Sequence, residues 1–105
     1  MITDLEHRIL CDACETETLQ GLRLRAALEV AADTGLPWTV LVIAVRSQLD
    51  TRAWTLGRTS IRAAPAIDAL RALLQEHDPR GLLFGVGSDL EAELARTRLR
   101  AKLPP

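Results

Sequence analysis

The chain predicts a small α/β protein of the α+β kind, with elements in the order α(α)ββαβα and a three-stranded mixed sheet packed by helices. Three observations predict it. Apolar residues recur at helical spacing between start and stop signals in residues 17–34 and 65–78. The run Trp38–Arg46 is rich in β-branched residues and apolar at both alternating sets, the pattern of a central strand covered on both faces. Finally, 105 residues with no internal repeat, low-complexity tract or long linker leave room for one core, so residues 1–105 read as a single domain.

Each element has its own signals. Thr3-Asp4-Leu5-Glu6 has capping-box spacing, and Leu5, Ile9 and Ala13 follow at helical intervals. A longer helix is predicted from about Glu17 to Thr34, closed by Gly35 and Pro37, with Gly21 lowering the helix propensity inside it. After the strand at Trp38–Arg46, Ser47–Thr51 make a polar connection and Arg52–Thr59 read as a second strand. Five connecting residues favour an antiparallel hairpin. Pro65 suits the first turn of a helix, and Ile67, Leu70, Leu73, Leu74 and His77 repeat until Asp78-Pro79 ends it. Leu82–Val86 read as a third strand, related to the second by a right-handed crossover and therefore parallel. Ser88-Asp89-Leu90-Glu91 is a second capping box, opening a helix to about Lys102.

Composition excludes several functions. A hydrophobic fraction of 48%, a charged fraction of 26% and a net charge of -1 are those of an ordinary globular protein, not of a polybasic nucleic-acid or membrane binder. The longest apolar run, Val40–Val45, is too short to span a bilayer, so no membrane partner is expected. No signal peptide is visible at the N-terminus, and two cysteines three positions apart make no disulfide scaffold. A reducing, cytoplasmic location is the expectation. Residues 1–50 carry eight carboxylates against four arginines, a net of about -4 that leaves about +3 for the rest and predicts one acidic and one basic side.

Four groups of residues have the chemistry to form a site. Cys11-Asp12-Ala13-Cys14 is a CxxC, which at a helix N-terminus lowers a thiol pKa, although a thioredoxin-like site needs a preceding strand that this order lacks. With His7, the positions i, i+4 and i+7 put His7, Cys11 and Cys14 on one helical face as three zinc ligands. Glu15, His77 or a dimer mate would then supply the fourth. The competing reading is two small half-buried residues beside a surface histidine. Gly85-Val86-Gly87-Ser88-Asp89 is a strand-to-helix turn where amides hold phosphate, but the third glycine of a dinucleotide fingerprint is Leu90 and no P-loop lysine follows.

The third and fourth groups are basic. Arg52, Trp54 and Arg58 alternate on one face of the second strand, with Arg62 continuing it and Arg46 at its edge. Tryptophan ringed by arginine anchors protein interfaces and also stacks on nucleic-acid bases. A core Trp54 with arginines reaching to its rim is the alternative. Arg96, Arg98 and Arg100 at the end of the last helix complement its dipole and form a possible basic patch.

No motif places a nucleophile beside His7 or His77, so the sequence favours binding over catalysis and calls for no cofactor. The expectation is a protein-interaction module, an adaptor subunit or inhibitor-type protein, working as a homodimer or on a protein partner. Arg46, Arg52, Trp54, Arg58 and Arg62 are its predicted surface. A nucleic-acid-binding module using the same arginines and a thiol or metal protein built on the CxxC are the two alternatives.

Overall fold

The structure, a computed structural model, describes residues 4–102, and the predicted Thr3 cap lies outside them. Among these residues, five helices and a three-stranded antiparallel sheet make an α+β fold. The helices are α1 (Asp4–Ala13), α2 (Leu19–Thr34), α3 (Trp38–Leu41), α4 (Ala64–Glu76) and α5 (Gly87–Arg100). A 3-10 turn at Arg46–Gln48 leads into β1 (Leu49–Asp50), β2 (Thr55–Leu56) and β3 (Thr59–Ser60), which pair in that order.

Helix α2 is the centre of the molecule, touching α1, α3 and α5 and making its most extensive contact with α4. Its Leu24, Ala26, Ala27, Leu28 and Val30 are buried, joined by Leu10 of α1, Leu70 and Leu73 of α4, and Leu83 and Phe84 before α5. Leu49, Leu56 and Ile61 close the core from the sheet. The stop signal of α2 acts as the sequence implies, and at its start a side-chain cap forms that the sequence reading did not mark. Thr18 takes the N-cap, its Oγ1 accepting from the Gly21 amide at 3.0 Å, and Gly35 closes the helix at φ 72°, donating to the Ala31 carbonyl. Gly21 is required by a close approach, because a Cβ there would overlap the backbone carbonyl of Glu15. Helix α4 carries Pro65 in its first turn and ends before Asp78-Pro79.

The strands lie elsewhere than the composition suggests. Trp38–Arg46 is not a central strand. Pro37 starts one helical turn, α3, with Leu41 buried and Val40 exposed, and Ile43 just beyond it is exposed too. The run then touches Leu82–Val86 only through an isolated antiparallel bridge, Val45 with Leu82, so the predicted parallel third strand is absent among the described residues. Positive φ at Gly85 (82°) turns that segment away. The second strand is also broken. The Asp50 carboxylate accepts from the Arg52 and Ala53 amides, folding the chain back, and Trp54 has φ 54°; only Thr55–Leu56 remains extended. Gly57 and Arg58 then make a two-residue turn into β3, with the positive φ at Gly57.

At α5 the N-cap is Val86, with no side-chain cap bond, so Ser88 sits inside the first turn and the second predicted capping box is not formed. The charges of the two halves interleave instead of segregating. Arg98 lies 4.0 Å from Glu6 across the α1–α5 contact, and Arg100 3.3 Å from Glu15 in the segment after α1.

Candidate functional site

Helix α1 carries His7 and Cys11 one turn apart, and both face α2 where Glu29 emerges. The three side chains close a triangle. His7 Nε2 lies 2.9 Å from Glu29 Oε1, Cys11 Sγ lies 3.3 Å from the same oxygen, and Sγ lies 3.4 Å from Nε2. With the ring proton on Nε2, His7 donates to Glu29, and the Cys11 thiol donates there too. All three donor atoms fall within 4.8 Å of one another, and no other group of His, Cys, Asp or Glu among the described residues does so.

The surroundings set the thiol chemistry. Burial pushes the Cys11 pKa far up, and the Glu29 carboxylate adds to it. Burial also pushes Cys14 up to about 11, with Arg25 opposing. A cleft of about 200 Å³ opens beside the triangle, lined by Arg8, Cys11, Asp12, Arg25, Glu29 and Pro65. Arg25 Nε is buried with no hydrogen-bond partner among the described residues.

This geometry corrects the CxxC reading. The motif lies at the C-terminal end of α1, where no helix N-terminus stabilises a thiolate, and burial raises both pKa values instead of lowering them. Because α1 stops at Ala13, Cys14 leaves the face shared by His7 and Cys11. Its Sγ donates to the Leu10 carbonyl at 3.2 Å. Glu29 takes its place in the cluster. The suggested fourth ligands are elsewhere, Glu15 paired with Arg100 and His77 exposed at the end of α4. Glu29 had a readable signal: it follows buried Leu22 by seven positions and buried Ala26 by three, so it is a carboxylate on the inward side of α2.

The predicted arginine–tryptophan face is dispersed. Trp54 is half-buried against the core with the Arg71 guanidinium 5.3 Å from its ring centroid. Arg46 donates to Asp78 Oδ1 at 2.7 Å and to the Leu49 carbonyl. These two share a cleft of about 320 Å³ with Arg71, Leu74 and Asp78. Arg52 sits in the Asp50 turn and Arg58 in the β2–β3 turn, both exposed. Arg62 lies just before α4, its amide donating to Asp33 Oδ2. Arg96, Arg98 and Arg100 have acidic neighbours: Arg96 pairs with buried Glu93 at 2.8 Å, Arg98 with Glu6, and Arg100 with Glu15 and Glu93.

Comparison with known proteins finds no matching family model, no matching curated protein and no matching solved structure. No helix is long and apolar enough to cross a membrane.

A feature that the sequence reading missed lies between α3 and α5. The segments 40–45 and 81–87 meet at the Val45–Leu82 bridge, through Leu83 N–H to Ala44 O and Arg46 N–H to Gly81 O, both 2.8 Å. Along them Val40, Ile43, Leu82 and Val86 are exposed, Ile43 at 68% and Val86 at 54%. The signal was present as the apolar runs themselves; reading them as strand interiors hid it.

Proposed function

We propose that the protein is a non-enzymatic interaction module that works as a homodimer, with the Val40, Ile43, Leu82 and Val86 band as the contact. The observation that carries this reading is that band: four of the six large apolar side chains exposed among the described residues come from two adjoining segments. Clustered exposed apolar surface marks a contact site far better than scattered single residues do. A second copy is the occupant because the four side chains are uncharged, so setting the band against itself across a twofold axis opposes no like charges.

Light scattering with size-exclusion chromatography tests it, using wild type and Ile43→Asp/Val86→Asp at several concentrations. Both positions are exposed, so the substitutions leave the core alone. A dimeric wild type and a monomeric double variant are the expected result. A wild type that stays monomeric throughout, or a dimer that the double variant leaves intact, overturns the reading.

A further inference from the structure

The geometry points to a zinc site formed by His7 Nε2, Cys11 Sγ and Glu29 Oε1, bridging α1 and α2. It is independent of the apolar band.

Three observations support it. The donor set is imidazole, thiolate and carboxylate, a combination suited to zinc; calcium and magnesium prefer oxygen alone. The donor spacing fits. Around a tetrahedral zinc with bonds of about 2.0 Å to nitrogen and oxygen and about 2.3 Å to sulfur, the edges are about 3.3 Å (N···O) and about 3.5 Å (N···S and O···S). The corresponding separations are 2.9 Å (N···O), 3.4 Å (N···S) and 3.3 Å (O···S), so each edge opens by only about 0.1–0.4 Å. The two ligands of α1 stand one helical turn apart while the third comes from α2, so the helix pair already holds the donors in place.

Charge and protons balance. Zinc takes the place of the thiol proton that Cys11 shares with Glu29, and that proton leaves to solvent. His7 moves its ring proton to Nδ1, freeing Nε2. The resulting dication, thiolate and carboxylate sum to zero, which suits a half-buried site. Three protein ligands leave one position open, and the adjoining cleft, with Arg25 in its wall, has room for a water there.

The test is a cobalt titration of reduced, chelator-treated full-length protein, followed by zinc displacement. Wild type should bind one cobalt with a thiolate-to-metal charge-transfer band and the intense visible bands of a tetrahedral site, all lost on adding zinc. Zinc at a hundredfold excess over its Kd should raise the unfolding midpoint by on the order of 10 °C. Cys11→Ser should abolish the charge-transfer band, and Cys14→Ser should keep it. Glu29→Gln, nearly isosteric and so safe for the fold, should weaken cobalt binding by about tenfold or more. No band with wild type overturns the site. So does full-strength binding by Glu29→Gln, or a band that depends on Cys14 and not on Cys11.

Discussion

Replacing Gly21 by alanine is the sharpest perturbation of this fold. By helix propensity alone the change stabilises α2 by about 1 kcal/mol. The tertiary structure opposes it. The new Cβ would overlap the Glu15 carbonyl oxygen, stand 2.6 Å from the carbonyl carbon and 3.0 Å from the Glu15 Cα. Side-chain carbons essentially never come within about 3.0 Å of another atom, so clearing the carbonyl oxygen requires the Glu15 backbone to retreat by more than about 1 Å. No flexible side chain is available to absorb the movement. The segment linking α1 to α2 moves with it, and so does Thr18, whose cap bond to the Gly21 amide contributes about 1 kcal/mol. Overpacking costs of about 1–3 kcal/mol, with the weakened cap offsetting the propensity gain, leave a net loss of about 1–3 kcal/mol. In a domain of this size that lowers the midpoint by about 5–20 °C. Thermal unfolding followed by circular dichroism measures it. Gly35→Ala serves as the control: its φ is 72° but nothing lies within 4 Å of the added carbon, so only the left-handed backbone penalty of about 1 kcal/mol applies. A Gly21→Ala midpoint at or above wild type, or a smaller loss than Gly35→Ala, refutes the close-approach argument.

Other consequences are measurable on the same protein. The amides of Ala53 and Arg52 hold the exposed Asp50 carboxyl below its usual 3.8. The contribution is therefore present above about pH 4 and lost as pH falls through the lower folded value; Asp50→Asn should flatten this part of the acid limb in urea midpoints. Buried Cys11 and Cys14 should react with Ellman's reagent about tenfold or more slower in native protein than after unfolding, and equal rates would contradict their burial. Glu93→Gln should cost about 1 kcal/mol, a modest figure because partners Arg96 and Arg100 are substantially exposed, and the difference should shrink in high salt. An unchanged urea midpoint would show that these ion pairs contribute nothing.

What could be read from the sequence follows from the range of the interactions involved. Helices α2 and α4 were legible because their determinants are local: Gly35 and Pro65 act within one turn of themselves. The strands were not. Trp38–Arg46 has the residue types of a strand, but strand formation depends on a partner, and here Pro37 starts a helical turn before a single bridge to Leu82 is made. The alternation through Arg52, Trp54 and Arg58 failed for a local reason that composition conceals. One carboxylate at Asp50 captures two amides, and the chain turns at Trp54 before an extended face can develop.

The metal-ligand triangle divides along the same line. His7 and Cys11 were legible because four residues of helix put them together, whereas extending that face to Cys14 assumed a helix that ends one residue too soon. Glu29 belongs to a second helix, and its placement depends on how closely α1 folds back on α2. The intervening chain passes so near Gly21 that a methyl group would displace it, so the glycine that looks like a weakness in the helical pattern accommodates the tight α1–α2 connection. Gly21→Ala should therefore loosen the triangle as well as the fold. Cobalt affinity, measured well below the unfolding midpoint, should fall although no ligand has changed. Unaltered affinity would show that Gly21 serves the stability of the connection alone.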